Sequence, residues 1–568
     1  MSPEYGSGYD DEGFVPAATT PMMREDAPDV SAFESIVVLS NRQPYRHEFV
    51  DRSAAAECAV VEEHEGETAR DSAGEVMSVS ARTDSARAQA EPHMEGGATV
   101  VVDRPTGGLI AGLDPVVQRT GGTWIAWGDG EADELVTDEG DCVAVPPEEP
   151  RYNLARIWLD EGDVETYYNG FSNRVLWPVC HDRVDLMTVR PADFDGYRAV
   201  NRRFATAAAA HAAAGSLVWT QDYHLALAPA MIRERVPSSV TLGHFWHIPW
   251  PSPETFEACP YRRDLVAALL ANDVLGFHTH SYVRAFLETV EHELPDATVD
   301  YDRSRVRYCG TDTRVLATPM GIDATAYDRE SREVTRDVRE KLRQQFGLSE
   351  SVTVLSGVDR LDYAKGIPKR LAALERLFER WPSLRESVTL VQSVSPSRTE
   401  ISAYREHASV VHQRVDTLND RFGTRTWTPV RYSTDYLSRT ELCGLYQLAD
   451  VMIVSSHRDG MNLVAQEYVA ASVDGTGALC LSDRTGFHDV AGESAYSLDP
   501  ARTDQFAEQI HAAIEASPTE NRRRMATLRR RVFTHDLEWW LHTQLSHFAA
   551  CASSEHVKPD QYRDSTGG

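Results

Sequence analysis

The stretch GVDRLDYAKGIP (357–368) sets Arg360 and Lys365 five residues apart, directly after an apolar run. Lysine is scarce in this chain. Lys341, Lys365, Lys369 and Lys558 are the only four among 57 basic residues, so 53 are arginine. A helix is expected to start near Pro368, because proline suits the first helical position. A helix N-terminus with two cations beside it suits anionic oxygens, above all a diphosphate. The same residues would also suit a solvated loop whose cations pair with Asp359 and Asp362. In a second stretch, HRDGMNLVAQEYVAA (457–471), Asp459-Gly460 makes a turn that bares backbone N–H groups, and the residues after it open a helix. Those N–H groups can hold oxygen anions or sugar hydroxyls. Glu467 lies about two turns beyond Asp459 and within reach of a ribose. Asp-Gly is also a common turn before helices with no such role.

Three further segments carry candidate binding groups. WTQDYHLALAP (219–229) and GHFWHIPWPSPETF (243–256) place Asp222 and His247 each just after an apolar run, where both can hydrogen-bond sugar hydroxyls. A histidine near proline also serves as a purely structural one. YYNGFSNRVLWP (167–178) offers the Tyr168 phenol and the Trp177 face, with Phe171 a core residue. Arg42 follows the first apolar run in SNRQP, and Gly107-Gly108 in PTGGLIAGL lets backbone approach a phosphate.

These groups need elements to position them. Short apolar runs at 36–39, 123–127, 216–220, 240–246, 273–277, 352–357, 388–394, 450–456 and 477–482 alternate with helical patterns. That alternation argues for an α/β chain with parallel sheets covered on both faces. The segment 317–334 reads as a crossing between two such units, followed by a charged helix over 336–346 and a fresh strand from Val352. Two doubly wound, Rossmann-like domains with a cleft between them follow, with ligands at the carboxyl ends of the strands. The expected division is a loose tail over 1–32, a first domain over 33–330, a second over 331–535, and a C-terminal helix and tail over 536–568 that packs back on the first domain. Residues 47–98 are polar and aperiodic and read as an acidic insertion.

Composition narrows the function classes. The 568 residues exceed one ordinary core, and 42% hydrophobic residues suffice for packed domains. A formal charge of −30 argues against nucleic acid or an anionic membrane as partner. An acidic chain with almost no lysine suits a salt-rich cytoplasm, where the Debye length falls to roughly 3 Å at 1 M. The eight cysteines form no C-x-x-C, so neither zinc nor a disulfide framework is expected. The acidic start is unlike a signal peptide, and no apolar run is long enough to span a membrane. The oligomeric state stays open, a homo-oligomer included.

Taken in order, SNR, GG, YYNGFSNRVLWP, DYH, HIPWP, RLDYAKG and RDGMNLVAQEYVAA closely resemble the trehalose-6-phosphate synthases, retaining glucosyltransferases with the GT-B fold. The resemblance runs from about Ile36 to Leu545. It implies transfer of glucose from a nucleotide sugar, usually UDP-glucose, to glucose 6-phosphate. It further implies that Arg360 and Lys365 hold the donor diphosphate, and that Asp459 with Gly460, Met461, Asn462 and Leu463 holds the donor glucose and phosphates. Glu467 would hold the ribose, and Gly107 and Gly108 would approach the donor phosphates. Arg42, Tyr168 and Arg398 (in SPSRTEISAY) would bind the acceptor phosphate, Trp177 would pack on the acceptor, and Asp222 and His247 would orient both sugars. The two cations balance charge on the departing diphosphate, so no metal or cofactor is implied. Gln466 stands where the family often has lysine. A glucosylglycerol-phosphate synthase using glycerol 3-phosphate would share the donor half. A non-catalytic sensor of sugar phosphates should have lost donor residues that are present here.

Overall fold

Helices cover both faces of two parallel sheets, and the strands between them are apolar almost throughout. The computed structural model describes residues 30–51, 98–104 and 108–555. Most of the expected tail, most of the insertion, Gly107 and the C-terminal end lie outside these residues. The strands run β1 (Ile36–Leu39), β2 (Arg46–Asp51), β3 (Ala98–Asp103), β4 (Thr123–Trp127), β5 (Cys142–Val145), β6 (Tyr152–Ile157), β7 (Leu217–Gln221), β8 (Thr241–Phe245) and β9 (Val274–Phe277). They continue with β10 (Thr298–Asp300), β11 (Arg305–Tyr308), β12 (Thr311–Ala317), β13 (Thr353–Arg360), β14 (Val388–Ser395), β15 (Val430–Ser433), β16 (Val451–Val454), β17 (Ala478–Ser482) and β18 (Tyr496–Leu498).

The first sheet has the order β10-β11-β12-β9-β8-β7-β1-β4-β6-β5. From β12 to β6 its strands are parallel, and antiparallel partners close both edges. The second sheet, β15-β14-β13-β16-β17-β18, is parallel throughout. β1 and β13 are central strands from which the chain winds in both directions, so each marks a switch point where loops diverge and leave a crevice.

The chain crosses between the sheets twice. The helix Ala324–Glu333 contains the boundary expected at 330, yet it packs on the second sheet's helices Arg439–Leu448 and Leu463–Ala471, with the Ser331 hydroxyl donating to the Ala471 carbonyl (2.6 Å). The second crossing returns through Leu537, whose N–H donates to the Ile322 carbonyl of the first (3.0 Å). The helix Leu537–Glu555 then lies on the first sheet. Trp540, fully buried, stacks on Trp219 (5.5 Å between centroids) and meets Phe245 edge-on (5.0 Å). Core residues of both sheets thus join one apolar cluster through this helix.

The expected insertion starts later than residue 47. β2 and β3 form an antiparallel hairpin in which Asp51 sits opposite Ala98. Its base is anchored by fully buried Asp133, which accepts from the His47 N–H (2.9 Å) and pairs with fully buried Arg156 (2.8 Å). β2 carries only Phe49 and Val50 as apolar residues, too few to stand out in a polar segment. Because Asp51 and Ala98 face each other, a two-residue Asn-Gly turn can replace residues 52–97. The shortened protein is expected to keep its Tm in a thermal melt; a fall of more than about 5 °C would show that the removed segment supports the fold.

Candidate active site

Every strand-end position singled out in the sequence lies at a carboxyl end facing the crevice between the sheets. Arg42 follows β1, Asp222 follows β7, His247 follows β8, Arg360 ends β13, Arg398 follows β14 and Asp459 follows β16. Gly108 opens the helix Gly108–Thr120.

On the second sheet, Lys365 pairs with Asp459 (2.6 Å), and both side chains are largely buried. A left-handed turn at Gly366 (φ 67°) aims the lysine there, and a Cβ at Gly366 would lie 2.0 Å from the Ser455 carbonyl oxygen, so only glycine fits. The Asp459 carboxylate also accepts from the Ser456 hydroxyl, the Asn462 amide and the Gly460 N–H, each at 3.0 Å. Burial pushes its carboxyl up, but Lys365 and the hydrogen bonds outweigh that and hold it well below the usual carboxylate range. Asn462, itself left-handed (φ 60°), caps the helix Leu463–Ala471 by accepting from the Ala465 N–H. The N–H groups of Met461 and Asn462 find no acceptor among the described residues, so they remain available to an anion. Glu467 accepts from the Tyr446 hydroxyl (2.9 Å), and burial raises its carboxyl.

On the first sheet, residues Val164–Leu176 wind as a wide π-type helix, and the N–H of Trp177 reaches back five residues to Ser172. Such helices recur at functional sites because they redirect side chains. This one presents Tyr168, whose ring stacks on His224 (5.7 Å, 9° between planes). Burial raises the Tyr168 phenol, yet Arg398, Arg42 and Arg360 around it carry the balance and bring it below its ordinary value. Guanidinium groups from three strand ends therefore act on one hydroxyl, with Arg398 hydrogen-bonded to it.

Arg398 is less free than expected. It pairs with Asp362 (3.1 Å) and donates to the hydroxyls of Tyr404 (2.6 Å) and Tyr223 (3.2 Å), while its Nε is buried without a partner. Trp177 is 4% exposed, with Arg398 over its ring at 4.1 Å, Arg360 at 5.5 Å and His181 at 4.0 Å between centroids. The ring expected to pack on an acceptor is thus largely buried, with the two arginines against it. The loop pairing with Asp359 and Asp362 does not form either: Asp359 pairs with Arg370 (2.6 Å) and Asp362 with Arg398. Arg360 is thereby left with no ion-pair partner among the described residues.

Asp222 and His247 sit between the two groups. The backbone of Asp222 is left-handed and extended (φ 69°, ψ 172°), a strained conformation for a residue with a Cβ and one that concentrates at functional sites. Burial pushes its carboxyl up to about 6, against the N–H groups of Tyr223 and His247 and the charges of Arg398 and Arg360. Protonation through that value should weaken hydroxyl binding, so kcat/KM is expected to fall as pH drops through about 6. Because the folded value lies above the unfolded one, the group stabilises the fold fully below about 4 and loses that contribution as pH rises through about 6. Asp222→Asn is expected to lose about tenfold or more in kcat/KM, to lack the acid limb, and to melt no lower than the wild type at neutral pH. An unchanged acid limb in the variant would refute the assignment.

The facing loops touch. A Cβ on Gly460 would lie 2.2 Å from the His247 carbonyl oxygen, so only glycine lets the second domain's loop approach the first. Arg458 binds Asp182 (2.5 Å) and the Trp250 carbonyl (3.0 Å), and the Tyr282 hydroxyl donates to the Asp459 carbonyl (2.8 Å). Sequence reasoning missed Tyr223, Tyr404 and His278, and named Asp362 only as a partner for the loop's own cations. Of these, His278 was accessible in principle, because it stands one residue past β9 as the others stand past their strands.

Facing parallel sheets with cations and bare N–H groups at opposed strand ends make this a glycosyltransferase of the GT-B fold. The chain belongs to glycosyltransferase family 20, which it matches over residues 74–550. It is 39% identical to the trehalose-6-phosphate synthase of Mycobacterium avium (strain 104) over 456 residues, 78% of this chain and 90% of that protein. Among solved structures it resembles the UDP-forming alpha,alpha-trehalose-phosphate synthase of Burkholderia xenovorans in complex with glucose-6-phosphate (TM-score 0.71, 30% identity, 78% of this chain and 96% of that one). It also resembles an E. coli structure bound with UDP-2-fluoro glucose (TM-score 0.74, 28% identity, 91% and 99%).

Proposed function

We infer that this protein is a trehalose-6-phosphate synthase, transferring glucose from UDP-glucose to glucose 6-phosphate with retention to give α,α-trehalose 6-phosphate. The observation that carries the reading is the pair of separate anion-binding groups in one crevice. One is Arg42 of the first domain with Arg398 of the second, both acting on Tyr168, and Arg360 stands between it and the donor side. The other is Lys365 with the N–H groups after Asp459. Two phosphorylated substrates require two such places. Relatives with this sequence and fold bind a UDP-sugar in one case and glucose-6-phosphate in another.

In this reading Arg360 and Lys365 stabilise charge on the departing diphosphate, which is the step where preorganised cations act most strongly. The acceptor hydroxyl oxygen forms its bond to the anomeric carbon on the face from which UDP leaves. The carbon–oxygen bond to the diphosphate breaks, and the acceptor proton passes to the leaving phosphate oxygen. Asp459, held as a carboxylate, binds donor glucose hydroxyls, and Asp222 and His247 orient the sugars.

The test is to incubate the protein with UDP-, ADP- and GDP-glucose and with glucose 6-phosphate or glycerol 3-phosphate, then identify products by mass and NMR. A phosphorylated α,α-linked disaccharide from UDP-glucose is expected, with activity surviving EDTA. Product from glycerol 3-phosphate alone would transfer the protein to the glucosylglycerol-phosphate reading, and a strict need for added magnesium would overturn the charge argument.

A further inference from the structure

His247 has more built around it than its place at a strand end requires. Its Nε2 lies 2.9 Å from the side-chain oxygen Oε1 of Gln221, the last residue of β7. An amide oxygen only accepts, so that contact puts the imidazole proton on Nε2. The backbone of the same residue is held as firmly. Its N–H donates to Asp222 Oδ1 (3.2 Å), and its carbonyl accepts from His278 Nε2 (3.0 Å). His278 Nδ1 in turn accepts from the Met320 N–H (3.4 Å), and the carbonyl of Met320 accepts from Gln466 (3.1 Å) on the helix that follows Asp459. Beneath the ring lie Phe245 (4.6 Å) and Trp540 (6.1 Å). The remaining ring atom, Nδ1, has no partner among the described residues and is not sealed from solvent.

We propose that Gln221 is a positioning residue that locks His247 as its Nε2–H tautomer and so presents a bare Nδ1 lone pair to the crevice as an acceptor for a substrate hydroxyl. This rests on the reading of His247 as a sugar-binding group. A histidine free to switch tautomer or take up a proton would offer a donor at Nδ1 and repel a hydroxyl hydrogen. Two features guard against that. Gln221 is fully buried and cannot swing away. Burial, reinforced by His278 and His244, also holds the His247 imidazole neutral, well below its ordinary value. The charged and titratable groups around the ring are Asp222 after β7, His244 on β8 itself, His278 after β9, and the Lys365–Asp459 pair across the crevice.

The amide has a second orientation, and the proposal excludes it. Turned over, Gln221 would donate from its NH2 to His247 Nε2, force the proton to Nδ1, and bury its own oxygen. In the orientation seen, the buried unpartnered atom is Gln221 Nε2. ¹⁵N NMR of histidine-labelled protein, with His247→Asn to assign the signal, reads the tautomer directly. An Nε2-protonated imidazole is expected, and an Nδ1-protonated one would overturn the proposal.

Kinetics supply the second reading. Gln221→Met keeps volume but removes the strong acceptor. It is expected to lose about tenfold to a hundredfold in kcat, with UDP affinity by calorimetry unchanged. Gln221→Glu keeps an acceptor oxygen but sets a carboxylate against the ring, which raises the imidazole and adds a second acid limb to kcat/KM beyond the Asp222 limb that the wild type and Gln221→Met share. His247→Ala separates the two levels of the argument. If it retains activity, the sugar-binding reading of His247 fails. If it is inactive while Gln221→Met matches the wild type in kcat and pH profile, the positioning role alone fails.

Discussion

Lys365→Ala is expected to lower kcat/KM by roughly a hundredfold or more, the scale of other preorganised electrostatic stabilisers, and also to cost stability. The second effect comes from the structure. Lys365 is the counter-ion of a buried carboxylate at 2.6 Å, and removing one partner of such a pair typically costs about 3–5 kcal/mol because the other charge stays buried. The three remaining hydrogen bonds to Asp459 place this case at the low end of that range. The Asp459 carboxyl is depressed in the folded state, so its contribution is fully present above the ordinary carboxylate range and is lost as pH falls below about 4. The stability gap between wild type and variant should therefore narrow in acid. Arg360→Ala is the companion measurement. Arg360 has no ion-pair partner among the described residues, so its loss should reduce activity comparably while leaving the denaturation midpoint nearly unchanged. Near-normal activity in both variants would sink the diphosphate assignment.

Arg398→Ala is expected to be the most damaging single change on the acceptor side. Sequence reasoning assigns it a raised acceptor KM and nothing more. In the structure the guanidinium neutralises Asp362, which is fully buried, and joins Tyr404, Tyr223 and the Trp177 ring. Truncation leaves Asp362 unpaired, at a cost of about 3–5 kcal/mol. On the proposed acceptor role it would also remove a phosphate contact worth about 1.5–3 kcal/mol. Arg398→Lys should not rescue it, because one ammonium does not reproduce a planar fork that serves three partners. Arg42→Ala separates the effects. Arg42 is exposed, so its loss should raise the acceptor KM about tenfold or more with UDP affinity and melting unchanged. Loss of UDP binding in the Arg42 variant, measured by calorimetry, would contradict an acceptor role.

The strands that were legible in advance share a physical trait. β1, β4, β7, β8, β9, β13, β14, β16 and β17 are buried on both faces along most of their length, so each is a largely apolar run that ends in polar residues. Once those runs are recognised as parallel strands, their carboxyl ends are where ligands bind, and Arg42, Asp222, His247, Arg360 and Asp459 follow from position alone. The strands that were missed lie toward the ends of the sheets or in the hairpin. In β11, Val306 is buried between Arg305 and Arg307, too short an alternation to stand out. The division at 330 failed for a related reason: the faces of the helix Ala324–Glu333 do not announce which sheet they will cover.

The sequence by itself determined the fold class, the crevice and the residue types that line it, because burial pattern and strand-end position are local properties of the chain. Only the tertiary structure decided which charge answers which. Arg360 and Asp362 are two residues apart, yet Asp362 pairs with Arg398 from the next strand, and Arg360 is left facing the crevice. Lys365 finds Asp459, 94 residues on. The same holds for the contact of His247 Nε2 with Gln221 from a neighbouring strand. Such pairings depend on distances of a few ångströms between segments remote in sequence. A Coulomb interaction or hydrogen bond is strong only when that distance is met in a site shielded from water, and no local pattern of residues specifies it.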